Sequence, residues 1–204
     1  MLTILDPYFA TRCRQQREAT DGWRWDEVWD GNYVIMPLPD NAYHELLAGF
    51  GTVLGFEFGI GEKRRATILL SAVVSDQRDY RRNFGRPDLS VFMRGGLAKD
   101  RRTHYQGGPD FLIEVLVPDD MSRDKLPFYA SIGTREVLIV DRDPWQLELY
   151  QLRRSRLRLV GTVRPGDGKV LASNVVPLTF ALVRGRPRPK IRITHAETGQ
   201  NWTF

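Results

Sequence analysis

Arg86-Pro87-Asp88-Leu89-Ser90-Val91-Phe92 and, further along, Pro109-Asp110-Phe111-Leu112-Ile113-Glu114-Val115-Leu116 are two short apolar runs that each carry acidic residues, and Lys125 follows them. Apolar runs of this length bounded by Pro and Gly read as buried β-strands. The connection between them is polar, basic and glycine-containing (Gly95 to Gly108), which suits antiparallel neighbours in a mixed sheet. In that arrangement Asp88 and Glu114 converge at a shared sheet edge. One or two carboxylates, with waters and phosphate oxygens, are the usual set for a hard divalent cation such as Mg²⁺. Two strand-borne carboxylates with a lysine nearby make the minimum set for metal-assisted phosphodiester cleavage. The competing reading is structural: Asp88 starts a strand and Glu114 pairs with an arginine. Glu114, however, sits within Phe111-Leu112-Ile113 and Val115-Leu116-Val117, where an unpartnered carboxylate is costly to bury.

Working outward, Glu136-Val137-Leu138-Ile139-Val140-Asp141 reads as a buried strand reached through a helix that starts near Val117-Pro118-Asp119-Asp120, contains Lys125 and stops at Gly133. An apolar strand directly after a helix is the parallel strand of a crossover unit. Upstream, Tyr8–Arg17 suits a short helix and Trp23–Met36 a hairpin turning at Asp30-Gly31-Asn32. Asp40 or Asn41 caps a helix running to about Leu54, and Ala66–Val74 is a further strand. From Pro144 the pattern becomes a β-meander over Gln146–Leu152, Leu157–Val163, Val170–Leu171 and Leu178–Val183. A basic tail from Arg184 to Arg192 follows, kept extended by Pro187 and Pro189. The fold class is α+β, a mixed sheet flanked by helices with additional strands toward the C-terminus. At 204 residues a single domain is expected, with a core over 23–152 and a β-rich extension over 153–204.

Thirty basic against 25 acidic residues leave a net charge of +5, which leans toward a polyanionic partner. Basic segments at Lys63–Arg65, Arg78–Arg86 and Arg184–Arg192 suit a phosphate backbone if they line one side of the sheet; each taken singly suits a solvated loop. A single cysteine, Cys13, excludes an internal disulfide and favours a reducing compartment. Neither a signal peptide nor an apolar run of membrane-spanning length is evident, so a cytoplasmic location and no membrane partner are expected.

The ordered set Arg86-Pro87-Asp88, Pro109 to Pro118, Asp124-Lys125-Leu126, Phe128 to Gly133 and Glu136 to Asp141, with Trp25 to Gly31 and His44 before it, resembles the large bacterial Uma-type family of putative restriction endonucleases, within the PD-(D/E)XK nuclease superfamily. The resemblance spans roughly residues 23–152. It implies a restriction-endonuclease-like core and Mg²⁺-dependent DNA cleavage, with Mn²⁺ as substitute and no organic cofactor. Asp88 takes the acidic position of the "PD" element and Glu114 that of "(D/E)XK". The superfamily lysine position falls on Leu116, so Lys125 from the following helix is the substitute, near the scissile phosphate; its other reading is a solvated helix lysine. Glu27, His44, Glu45 and Asp110 are possible additional ligands or proton relays. His104 and His195 read as surface residues. Trp23, Trp25 and Trp29 suit either base stacking or a packed face. A homodimer suits cleavage of both strands of a duplex. The alternative is a degenerate nuclease fold that binds nucleic acid or a protein partner without cutting, and hydrolysis of another phosphoester stays open.

Overall fold

Every residue of the Phe111–Val115 strand is buried, so its sequence is continuously apolar rather than alternating, apart from Glu114. Such a strand must be covered on both faces. The computed structural model, which describes residues 1–59, 64–117 and 120–204, shows what covers it. Phe111–Val115 lies inside a six-stranded sheet ordered Arg156–Val163, Trp145–Arg153, Glu136–Arg142, Phe111–Val115, Leu89–Met93, Ala66–Leu70. Neighbours are antiparallel except Phe111–Val115 and Glu136–Arg142, which run parallel. That parallel pair confirms the expected crossover unit, and Leu89–Met93 against Phe111–Val115 confirms the expected antiparallel neighbours.

The described residues contain helices α1 (Pro7–Glu18), α2 (Asn41–Phe58) and α3 (Leu126–Ser131). Helix α2 lays Tyr43, Leu46, Phe50, Val53 and Leu54 over Phe111, Ile113, Val115, Leu138 and Val140. The opposite face, Leu112, Leu116, Val137 and Ile139, packs against Tyr129 and Ile132. Asp40 caps α2 by accepting from the Tyr43 N–H at 2.7 Å, and the helix continues to Phe58 rather than stopping near Leu54. The connection into α3 is one 3-10 turn, Ser122–Lys125, and Gly133 (φ +85°) ends the unit. The expected helix start at Pro118-Asp119 lies outside the described residues, as do Ile60, Gly61 and Lys63 of the basic loop.

In the N-terminal hairpin, Glu27–Trp29 and Asn32–Ile35 pair antiparallel around Asp30 (φ +48°) and Gly31 (φ +84°), and Leu2–Ile4 adds a third strand. Two successive positive φ values define the tight hairpin turn that Asp-Gly favours. Trp23 is not in a strand: Gly22–Arg24 is a 3-10 turn, so the hairpin starts later than the tryptophan alternation suggests. The strand expected over Ala66–Val74 breaks at Ser71 (φ +50°), and Val74–Ser75 pairs instead with Tyr105–Gln106 in a small separate sheet.

The meander divides. Trp145–Arg153 and Arg156–Val163 extend the main sheet, whereas Leu171–Ala172, Leu178–Val183, Lys190–His195 and Asn201–Thr203 form a second sheet packed over α2. Part of the expected basic tail is therefore a strand. Ile191 and Ile193 point into the core while Lys190 and Arg192 face out, the period-2 alternation of a half-buried strand. No helix among the described residues is long and apolar enough to cross a membrane.

Candidate active site

Extending the Leu89↔Ile113 register by one residue places Asp88 opposite Glu114 on adjacent strands. Asp88 is clamped there: its carbonyl accepts from the Ser71 N–H at 3.1 Å, and its Oδ2 accepts from the Val115 N–H at 2.6 Å. The Tyr43 hydroxyl, delivered by the first turn of α2, donates to Oδ1 at 2.5 Å. On Glu114, Oε1 accepts from the Tyr129 hydroxyl and from Lys125 Nζ at 3.1 Å. Lys125 ends the 3-10 turn that precedes α3, which turns its side chain back onto the sheet edge. It is 3% exposed and also reaches Glu27 Oε1 at 3.1 Å. Glu27, 1% exposed, additionally accepts from the Arg86 N–H at 2.7 Å and from Trp29 Nε1 at 2.6 Å.

Asp88, Glu114, Lys125, Glu27 and Tyr43 line one small cleft of about 40 Å³, together with Trp25, Arg86 and Asp120. That is room for an ion with a few waters and for nothing as large as a nucleotide. The electrostatics follow from crowding acids in a dry place. Desolvation pushes the Asp88 carboxyl up to about 6, although Asp88 keeps an opening to the cleft and Lys125 and Tyr43 pull the other way. Burial pushes Glu114 well above the usual carboxylate range; Lys125 opposes this, and Asp88 and Glu27 add to it. Burial favours a neutral Lys125, but Glu114, Glu27 and Asp88 outweigh it and raise its pKa. Carboxylates that raise one another's proton affinity form a site where added positive charge is favoured.

The donor set therefore fits a hard divalent cation. Asp88 and Glu114 are the residues that would hold it. Among the described residues no group of three or more His, Cys, Asp or Glu is arranged for a metal, so water and phosphate oxygens would complete the shell.

Sequence reading brought Asp88, Glu114, Lys125 and Glu27 into this list, and all four meet in the cleft. Lys125 is not the solvated helix lysine of the competing reading. Leu116, at the position matching the superfamily lysine, is buried in the core face beside Tyr129. The other expected ligands are elsewhere. Asp110 is four residues up the same strand, about 13 Å away, where it accepts from the Met93 N–H at 2.8 Å and pairs with Arg135. Glu45 is exposed and pairs with Arg188 at 3.3 Å. His44 is exposed, edge-on to Tyr43 and beside Trp25, at the rim rather than in the cleft.

His104 is buried, not on the surface: Nε2 lies 3.1 Å from the Gln77 carbonyl and the ring packs on Tyr80. His195 pairs with Glu57 at 3.1 Å, so it too has a partner. As members of the site, Tyr43, Tyr129, Asp120 and Arg86 escaped sequence reading. The tyrosines counted only as apolar members of helix faces, and a hydroxyl leaves no trace in periodicity.

The basic segments do not share one face. Arg65 pairs with Glu57 near the C-terminus of α2, about 20 Å from Tyr43 at the other end. Arg86 lines the cleft, whereas Arg188 lies over Trp145 and pairs with Glu45.

A sequence profile described as "Uma2: Putative restriction endonuclease" matches residues 12–183. Among solved structures the fold is similar to that of a "putative nuclease belonging to DUF820" from Anabaena variabilis, with a TM-score of 0.52 and 18% identity over 66% of this chain and 75% of that one. No curated protein matches the chain. With five-sixths of its length inside the profile, the chain belongs to the Uma2 family of putative restriction endonucleases.

Proposed function

We propose that this protein is a divalent-metal-dependent endonuclease that hydrolyses DNA phosphodiester bonds at the Asp88–Glu114–Lys125 cleft. The observation that carries this reading is the convergence of two carboxylates from adjacent strands and a buried lysine on one ion-sized opening. Mg²⁺, or Mn²⁺ in its place, would supply charge neutralisation on the phosphate oxygens and a more acidic attacking water. Asp88 and Glu114 would hold the ion. Tyr43 and Tyr129 hold the carboxylates in place through their hydroxyls. The Lys125 ammonium has three N–H donors; Glu27 and Glu114 take two, and the third serves a phosphate oxygen or the attacking water. Glu27 acts as the counter-charge that keeps this ammonium at the cleft. The net charge of +5, with Arg86 at the cleft wall, favours a polyanionic substrate over a small neutral ester. A homodimer would present two such clefts to the two strands of a duplex.

The test is nicking of supercoiled plasmid with Mg²⁺ or Mn²⁺. Wild-type protein is expected to cut, and Asp88→Ala and Glu114→Ala to lose cutting while circular dichroism stays unchanged. Equal cutting by both variants overturns the assignment. A second reading, a nuclease fold that binds nucleic acid without cutting, is favoured by one feature: Leu116 stands where the superfamily lysine falls, and Lys125 is already held by two acids. Calorimetric titration with Mn²⁺ separates the two, because absence of metal binding up to millimolar concentrations supports the non-cutting form.

A further inference from the structure

Arg86 is the partition between two cavities. On one side it lines the catalytic cleft. On the other it lines a separate cavity of about 180 Å³ walled by Trp23, Tyr33, Tyr80, Phe84 and Arg81 among others. Four aromatic rings here come from three separate segments: the 3-10 turn after α1, the hairpin, and the connector leading into the Asp88 strand. The Arg86 guanidinium lies 5.5 Å from the Phe84 ring and 6.0 Å from the Trp23 ring. Among the described residues its single side-chain hydrogen bond runs from Nε to the Asp26 carbonyl at 3.2 Å. The terminal amino groups thus stay available as donors. Trp23 is 40% exposed, a large apolar surface left in contact with water at the cavity's edge.

We propose that this cavity is a nucleobase subsite, taking one unstacked base of the nucleic acid whose phosphate lies at the adjoining cleft. Tyr33 is buried beneath Arg14 and Tyr80 packs on Phe84 and His104, so the stacking surface is the exposed Trp23 ring with the Arg86 guanidinium plane beside it, and every base has a π-face to offer such a pair. The cationic members select the ligand class further. Glu18 and Asp26 also line the wall, but Asp26 is already neutralised by Arg17 and bonded by Tyr33. A quaternary ammonium or other cation, the alternative occupant of an aromatic cage, therefore meets Arg14, Arg81 and Arg86 against one carboxylate that is uncommitted among the described residues. An electron-rich ring attached to a phosphate meets the same arginines favourably. The volume admits one ring system and excludes a stacked pair. Because Arg86 is shared, a base seated here belongs to a nucleotide next to the scissile phosphate, so the subsite favours single-stranded, flapped or flipped-out substrates over a continuous duplex.

The choice of a nucleobase over other planar rings rests on the nuclease reading above, but the binding itself needs no catalysis. The test is metal-free titration of the full chain with 2′-deoxyadenosine 5′-monophosphate, followed by saturation-transfer NMR, with 2-deoxyribose 5-phosphate as the base-free control. Expected are strongest saturation on the adenine protons, weaker binding of the base-free sugar phosphate by about tenfold or more, and a similar loss in Trp23→Ala. Arg81→Ala, an exposed position, is expected to weaken the nucleotide without disturbing the fold. Binding is read without metal and without cleavage, so plasmid nicking can fail while adenine-dependent binding persists, which keeps this outcome distinct from failure of the nuclease assignment. Equal affinity for the base-free control, no saturation of the adenine protons, or unchanged binding in both Trp23→Ala and Arg81→Ala overturns the proposal.

Discussion

Lys125 shows what a buried charge demands of its surroundings. Its ammonium is balanced by Glu27 and Glu114, both at least as buried as itself. Removing one member of such a group leaves the others uncompensated in a dry site. Lys125→Met is therefore expected to cost about 3–5 kcal/mol, read as a lower urea midpoint with unchanged slope; a loss near zero would mean that the acids are solvated. Tyr129→Phe removes only one donor to Glu114 and is expected to cost about 1 kcal/mol by the same measurement. The two main acids were legible because a carboxylate inside an otherwise apolar strand is conspicuous. The hydroxyls that hold them were not, since Tyr43 and Tyr129 satisfy helix-face periodicity and a hydrogen-bonding role together. Asp110 misled for a related reason: strand alternation reports the face of a residue, not its distance along the strand.

Among the elements, α2 joins the sheet to the cleft, and its N-cap carries a pH signature. Asp40 accepts from the Tyr43 N–H and pairs with Arg142 at 2.8 Å. The Arg142 hydrogen bond, with the backbone N–H of Tyr43, holds its carboxyl below the usual value of 3.8. A group whose folded pKa is depressed contributes stability that is present above its unfolded value and lost as pH falls through the folded one. Asp40→Ala is expected to cost about 1 kcal/mol at pH 7, with the difference from wild type closing below about pH 4; a difference that persists in acid would assign the effect to packing.

Gly51 and Gly55 lie inside α2 with nothing near the position of an added Cβ. Gly51→Ala and Gly55→Ala are each expected to raise stability by up to about 1 kcal/mol, seen as a higher thermal midpoint. Gly49, whose Cβ would meet the Phe204 ring at 2.5 Å, is expected to go the other way. Elements with local signals, the Asp-Gly hairpin turn, the Asp40 cap and the Gly133 stop, were readable. The Lys190–His195 strand was hidden beneath prolines and arginines, although its Ile191 and Ile193 alternation is a proper strand pattern.

Across the whole molecule, residues on both sides of position 153 contribute to one hydrophobic cluster. Phe180 of the C-terminal sheet stacks on Phe111 of the central strand at 5.8 Å and meets Phe50 of α2 at 6.5 Å. One hydrophobic cluster runs from Tyr43 through the main sheet to Ile193. Shared packing of this kind is expected to couple the parts into one cooperative unit. Urea unfolding followed by far-ultraviolet circular dichroism and by tryptophan fluorescence is expected to give coincident transitions. Phe180→Ala is expected to shift both together, at a cost of about 3–5 kcal/mol. Separate midpoints would divide the chain into two domains.

Local chemistry along the chain was enough to set the central strands of the main sheet with the helix before them and the crossover after, the α+β class and the two acids most opposed to their surroundings, because periodicity, turn residues and a charge in an apolar run act over a few neighbours. Which side chains complete the cleft depended on long-range placement. Glu27 and Lys125 are 98 residues apart, and Tyr43 and Asp88 are 45 apart. No short-range preference encodes such meetings; they arise when the packing of hairpin, helix and sheet leaves these polar groups one shared place to find partners.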